Sequence, residues 1–135
     1  MPAYTKLNLR QDVEDMAPRF GYEEHVEARF ARRALELEKS GVSYFKIAPG
    51  FRMPFGHRHG EQEEVYLVLS GSARMKVEDD IVELSALDAV RVPGAVARGM
   101  EAGPQGAEIV AFGAPNTENR DTEMLPEFWP PENGR

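Results

Sequence analysis

The sequence predicts an all-β domain, built as a sandwich or barrel of short strands. From residue 42 to residue 112, short segments with strand-like apolar patterns recur roughly every ten residues. Turn signals separate them, among them Pro49-Gly50, Ser70-Gly71-Ser72 and Pro93-Gly94, with a further turn predicted over residues 102–106. The predicted strands are residues 42–48, 64–69, 74–78, 81–84, 88–92, 95–101 and 107–112.

The N-terminal region, residues 1–41, is predicted to form an arm and one further element. A near-helical spacing of apolar residues favours a short helix over residues 10–17, capped by Asn8 and ended by Pro18. Residues 23–40 fit two structures. Their Glu, Ala, Arg and Leu content favours a helix, whereas part of the segment alternates as a strand would.

The C-terminal tail, residues 113–135, is rich in Pro, Asn, Glu and Asp but carries a group of apolar residues. A tail without apolar residues would be typical of disorder. We therefore expect Leu125, Phe128 and the single tryptophan, Trp129, to fold back over an edge or an open face of the barrel. A lid and a dimer contact are the alternatives.

Composition limits the classes of function. With 135 residues, 41% apolar and 29% charged, the chain suits one compact domain, and no apolar run is long enough to span a bilayer. A net charge of −7 excludes non-specific binding to nucleic acid and argues against anionic membrane surfaces. The absence of cysteine excludes disulfides and thiolate chemistry, and without a visible secretory signal we expect a cytoplasmic protein.

The chemistry concentrates at His57, His59 and Glu64. Residues i and i+2 of a strand point the same way, so the two imidazoles project together, and a turn can bring the carboxylate back to them. Two imidazoles and one carboxylate are typical of an open site for a divalent Mn, Fe, Ni, Zn or Cu ion. Tyr66 shares the face of Glu64, either as a partner of the ligands or a substrate contact, or as an ordinary core tyrosine. The third histidine, His25, is interpreted as a surface or capping residue.

These residues resemble the first motif of the cupin family: Gly, five residues, His-x-His, three or four residues, Glu, six residues, Gly. Glu64 follows His59 after four residues and Gly71 follows Glu64 after six, while Gly50 lies one residue further from His57 than usual. The resemblance covers residues 42–112 and is to small single-domain cupins (the cupin type-2 conserved barrel family). It implies a double-stranded β-helix, or jelly roll, with His57, His59 and Glu64 as metal ligands inside the barrel, and commonly a homodimer.

The second cupin motif ends in a histidine that is the fourth metal ligand, and here that position holds Arg98. Arginine stays protonated and does not bind metal. Three interpretations follow. A metal is held by the three remaining ligands while Arg98 binds an anionic substrate; or Arg98 pairs with Glu64 in a metal-free pocket for an organic ligand; or Arg98 turns outward. Gln62 is a possible substitute ligand or hydrogen-bond partner, but a surface loop residue is the preferred interpretation.

Two functions therefore follow from the sequence. One is a metal-dependent enzyme acting on a small molecule by oxygenase-like or isomerase-like chemistry, with Tyr66 and Arg98 as candidate catalytic residues. The other is a non-catalytic cupin that binds or senses a small anionic or sugar-like ligand; a degenerate scaffold is a third possibility. The substrate is not predicted by any motif in the sequence.

Overall fold

The computed structural model describes residues 3–130 and confirms the predicted fold class, a β jelly roll with a short N-terminal helical arm and a C-terminal tail packed on the barrel. The elements are α1 Ala17–Phe20, β1 Val26–Phe30, β2 Gly41–Ile47, β3 Phe55–His59, β4 Glu63–Val77, β5 Asp80–Ser85, β6 Ala89–Val92, β7 Arg98–Ala114 and β8 Thr122–Pro126. The eight strands form one curled sheet, in which the path β1-β2-β7-β3-β8 is joined to β4, β5 and β6 through the β4–β7 pair.

The two longest strands, β4 and β7, run through positions where the sequence predicts turns. Each half of β4 pairs with the opposite half of β7, with register shifts between Val68 and Ser70 and between Gly71 and Ala73. Gly71 and Gly106 have positive φ values of 73° and 82°. These two glycines lie within continuous strands and bend them at bulges. A bulge needs the same left-handed backbone as a turn, so the sequence signal is the same for both. The predicted turns at 70–72 and 102–106 are wrong in this respect.

The N-terminal arm also departs from the prediction. The helix begins later, at Ala17, and Pro18 lies in its first turn, where a missing N–H costs nothing. Asn8 caps a turn: its side chain accepts hydrogen bonds from the N–H groups of Arg10 and Gln11, both at 2.9 Å. Of the two structures open for residues 23–40, the strand forms, over Val26–Phe30, because pairing with β2 outweighs helix propensity. No helix within residues 3–130 is long and apolar enough to cross a membrane.

The core lies inside the curled sheet, on the faces that β1, β2, β4 and β7 share. Its largest fully buried side chains are Tyr66, Ile47, Met75, Ile109, Val68 and Val92, together with one charged residue, Arg98. The side chains of β4 alternate, so that Glu64, Tyr66 and Val68 face inward. The candidate site is therefore the polar end of an otherwise apolar interior.

The tail closes one side of the barrel. Strand β8 pairs antiparallel with β3, and the ring of Phe128 lies over Gly56 and Gly99. Lys76 Nζ is 3.8 Å from the centre of the Phe128 ring, and the guanidinium of Arg52 is 4.3 Å from that of Trp129. The aromatic residues of the tail thus cover strands β3 and β7 where they carry no side chain of their own.

Replacement of Gly56 by alanine should destabilise the fold. The added Cβ would lie 2.7 Å from the carbonyl oxygen of Arg98 and 2.5 Å from the Phe128 ring, so either a strand or the tail must move. We expect a loss of about 1–3 kcal/mol in the free energy of unfolding, measured in urea. The matched control is Gly41→Ala, whose Cβ meets only Gln62 Nε2, at 3.8 Å, and which should be neutral or slightly stabilising. Equal effects of the two substitutions would contradict this packing.

Candidate metal centre

The site is assembled from three strands. Strand β3 supplies His57 and His59, strand β4 supplies Glu64 and Tyr66, and strand β7 begins with Arg98, which lies opposite His57 in the β3–β7 pairing. The candidate residues that are distant in sequence therefore converge because β3 is paired to the start of β7.

One oxygen atom, Glu64 Oε1, is the centre of this group. It lies 3.3 Å from His57 Nε2, 3.3 Å from His59 Nε2 and 3.3 Å from Arg98 Nη1. It also accepts a hydrogen bond of 2.6 Å from the hydroxyl of Tyr66, which is 3.5 Å from His57 Nε2. Four side chains thus approach a single carboxylate oxygen.

His59 Nε2 is buried and has no hydrogen-bond partner, although it is 3.3 Å from Glu64 Oε1, because the two atoms are not aligned for one. The other ring nitrogen, Nδ1, is 3.1 Å from Asp121 Oδ1. Since a carboxylate only accepts, the neutral ring carries its proton on Nδ1, which leaves the lone pair of Nε2 available to an ion on the side of Glu64. A buried lone pair without a partner, on a histidine oriented by a carboxylate, is the arrangement that proteins use for metal ligands.

Asp121 is held in place by several donors. Thr117 donates to Oδ1 at 2.6 Å, and the backbone N–H groups of Glu61 and Gln62 donate to Oδ2 at 3.0 and 2.9 Å. Burial tends to raise the pKa of Asp121, but these hydrogen bonds and the contact with His59 outweigh it, so its pKa lies well below the usual range. The carboxylate is therefore ionised and fixed at the Nδ1 edge of the His59 ring.

The electrostatics of the other groups follow the same contacts. Burial tends to raise the pKa of Glu64, but contacts with His57, His59 and Tyr66 lower it well below its usual range. Burial tends to lower the pKa of His59, and its contacts with Glu64 and Asp121 raise it overall. Burial, and then the charge of Glu64, raise the pKa of Tyr66 well above 10, so its hydroxyl stays protonated at neutral pH.

Arg98 is the most buried charged residue among those the structure describes, with a side chain that is 0% exposed. Its guanidinium donates from Nη1 to Glu64 and from Nη2 to the carbonyl oxygen of Pro93 at 2.8 Å and of Val92 at 3.4 Å. Its Nε has no partner. The outward interpretation of Arg98 is therefore wrong, and the residue occupies the site beside the carboxylate.

Both Gln62 and His25 are interpreted from the sequence as surface residues, and the structure confirms this for His25 alone. Gln62 is buried, not a surface loop residue: its side chain packs on Gly113 and donates to the carbonyl oxygen of Pro115 at 3.2 Å. It holds the first residues of the tail in place and is not among the grouped ligand atoms. His25 is exposed and stacks on Phe51, with ring centroids 4.5 Å apart.

The donor set fits a divalent ion. The ligand atoms of His57, His59 and Glu64 all lie within 4.8 Å of one another. Two ligand atoms bound to one ion at about 2.1 Å, at angles between octahedral and tetrahedral, lie roughly 3.0–3.4 Å apart. Both measured separations between a histidine nitrogen and Glu64 Oε1, 3.3 Å, fall in this range.

Access is narrow. His57, at 25% side-chain exposure, is the most exposed of the three candidate ligands, whereas His59 is 4% exposed. Two surface cavities, of about 460 and 290 Å³, are lined by residues other than the three candidate ligands, and the smaller one reaches Asp121. Because His57 is the most exposed ligand, a small molecule would approach the centre from its side.

Comparison with known proteins supports the fold described above. No family model matches the chain, and no curated protein matches its sequence. Solved structures do match: a cupin protein from Bacteroides fragilis is 23% identical, with a TM-score of 0.70 over 87% of this chain and 88% of that one. The chain has the cupin fold. Its likeness to these structures, at such low identity, concerns the fold alone.

Two further cupin-fold neighbours are enzymes. Pac13 from Streptomyces, a nucleoside dehydratase solved with uridine, is 15% identical, with a TM-score of 0.69 over 89% of each chain. Oxalate decarboxylase from Bacillus subtilis is 21% identical, with a TM-score of 0.74 over 90% of this chain. The match covers 32% of the decarboxylase, so it concerns one part of that larger protein.

The contacts predict how the stability of the metal-free protein depends on pH. Glu64 and Asp121, with lowered pKa values, contribute stability above about pH 4 that is lost as the pH falls. His59, with a raised pKa, contributes stability below about pH 6.5 that is lost as the pH rises through its folded-state pKa. Stability should be greatest between about pH 4.5 and about pH 6.5.

Urea unfolding across this range, with a chelator present, measures the dependence. The comparison variant is Asp121→Asn, which keeps an acceptor for the backbone N–H groups but removes the charge. Its stability should fall less steeply than that of wild type, both below about pH 4.5 and above about pH 6.5. A wild-type profile that rises steadily to alkaline pH would contradict the assigned contacts.

Proposed function

We propose that the chain binds one divalent transition metal ion through His57, His59 and Glu64. The observation that carries the proposal is the buried, unpartnered Nε2 of His59, whose opposite nitrogen is held by Asp121. Three protein ligands leave coordination positions open for water and a substrate. The donor set accepts Mn, Fe, Ni, Zn or Cu and does not select among them.

We further propose that the site acts on a small molecule as an enzyme. A divalent ion at such a position supplies Lewis-acid polarisation of a carbonyl or enol, or binds oxygen, which fits isomerase-like and oxygenase-like reactions. Tyr66, protonated and 2.6 Å from Glu64 Oε1, is suited to donate a hydrogen bond and not to act as a base. The dehydratase and decarboxylase among the structural neighbours support small-molecule chemistry on this fold.

A metal-free ligand-binding protein is the second candidate. The contact between Arg98 Nη1 and Glu64 Oε1 supports it, because the pair neutralises the buried carboxylate without an ion. In that case the pocket would hold an organic ligand through Tyr66, His57 and Arg98. Metal content separates the two candidates.

Protein purified without chelator or nickel resin should contain, or take up, about one divalent ion per chain. The substitution His59→Ala should abolish binding, because it removes one of only three protein ligands. The matched control is His25→Ala, which removes an exposed histidine outside the site and should leave metal content unchanged. Wild-type protein holding less than about a tenth of an ion per chain, and not restored by added Mn, Fe, Ni or Zn, would support the metal-free candidate.

We also propose that the chain forms a homodimer through the outer face of the sheet. Val42, Phe112 and Val65 are aligned across β2, β7 and β4, and Phe112 and Leu69 are 43% and 42% exposed. A second copy, related by a two-fold axis, would present the same apolar row and bury it.

Light scattering after size exclusion tests the dimer. The substitution Phe112→Glu should shift the mass from dimer to monomer, whereas Leu87→Glu, at a residue that is 76% exposed outside this row, should not. A monomeric wild-type protein at high micromolar concentration would contradict the proposal.

A further inference from the structure

The burial of Arg98 has a consequence for what the metal centre binds. In the structure the guanidinium and the Glu64 carboxylate form a neutral pair, 3.3 Å apart, inside the barrel. The carbonyl oxygens of Val92 and Pro93 hold the guanidinium from the other side, at 3.4 and 2.8 Å. Arg98 is therefore fixed in the site and does not reach solvent when another group takes its carboxylate partner.

A divalent ion at the proposed position uses the same carboxylate oxygen. Glu64 Oε1 is the atom that both histidine nitrogens and Arg98 Nη1 approach. An ion bound there would share its only anionic protein ligand with a buried cation, leaving two positive groups close together in a region of low dielectric constant. Such an arrangement is unfavourable unless an anion lies between them.

Resting on the proposed metal site, we infer that the metal ion and a small carboxylate bind together, with the carboxylate bridging the ion and Arg98. One carboxylate oxygen takes an open coordination position, and the other accepts from the guanidinium. Arg98 has a donor for this role, because Nη1 becomes available when the ion takes Glu64 Oε1. The contact is a charge-assisted hydrogen bond from a guanidinium to a carboxylate oxygen.

The ligand must also be small. Tyr66 and Arg98 fill the barrel on the inner side of the site, and His57, half-buried, is the most exposed of the candidate ligands. The substrate class assigned to this centre is therefore a small monocarboxylate, or the carboxylate end of a narrow molecule. By thermodynamic linkage, the carboxylate raises metal affinity by the same factor as the metal raises carboxylate affinity.

Cobalt titration of the full chain tests the coupling, with acetate as the carboxylate probe. The Kd for Co²⁺ is measured from its visible absorption, with and without acetate, at constant ionic strength maintained with perchlorate. A chelator of known affinity, titrated in the same buffers, corrects for weak binding of acetate to free Co²⁺. We expect acetate to lower the Kd of the wild-type protein by at least about fivefold, the lower range of typical coupling between sites.

Variants assign the effect to Arg98. The substitution Arg98→Gln removes the cation, so it should bind Co²⁺ more tightly than wild type without acetate and show no acetate dependence. The control Arg19→Gln makes the same charge change at an exposed arginine paired with Glu14, and should behave as wild type. If Arg98→Gln does not fold, Arg98→Lys keeps the positive charge but not the Nη1 donor, and a coupling reduced below that of wild type supports the assignment.

The outcomes separate the two proposals. No binding of Co²⁺ in either buffer overturns the metal site and the coupling with it. Binding of Co²⁺ with the same Kd in both buffers overturns the coupling alone. Equal acetate dependence in wild type and in a folded Arg98→Gln or Arg98→Lys variant also overturns it, since the bridge to the guanidinium would then contribute nothing.

Discussion

The site depends on one carboxylate oxygen that four neighbouring side chains contact. Glu64 Oε1 accepts from Tyr66 and lies 3.3 Å from two histidine nitrogens and from the guanidinium of Arg98. A buried carboxylate needs such partners, because burial alone favours its neutral form. The same oxygen is therefore both the anchor of the interior charges and the atom for which an ion and Arg98 would compete.

The fold makes this convergence possible through its strand pairings. Strand β3 lies between β7 and β8, so the histidine pair has Arg98 on one side and the tail on the other. The tail contributes more than a cover, since it supplies Asp121, which fixes the ring of His59. The stability of the tail and the orientation of a candidate ligand are thus coupled, because the segment that closes the barrel edge also orients the imidazole.

How much the sequence predicts depends on how local the signal is. The spacing of His57, His59 and Glu64 is local, and it predicts both the fold and the ligand group. Gly71 and Gly106 read from the sequence as turn residues, because a bulge and a turn use the same left-handed backbone and only the pairing partner distinguishes them. The strand β1 was ambiguous because its helix-forming residues owe their conformation to the neighbouring β2.

Asp121 could not be found from the sequence. It lies about sixty positions from His59 in a segment rich in acidic and polar residues, and no spacing distinguishes it from the exposed acids around it. The burial of Gln62 is not predicted for a related reason, since it depends on the close approach of Gly113. Arg98 was recognised as a departure from the motif, but its orientation depends on the carbonyl groups of Val92 and Pro93, which sequence patterns do not report.

A crystal structure of the cobalt-loaded protein, with anomalous data at the cobalt edge, tests the central claim most directly. The account predicts one strong anomalous peak within about 2.3 Å of Nε2 of His57, Nε2 of His59 and a carboxylate oxygen of Glu64. It also predicts that His59 Nδ1 remains hydrogen-bonded to Asp121. An intact contact between Arg98 and Glu64 with no anomalous peak at these atoms, in crystals grown with excess cobalt, would contradict the account.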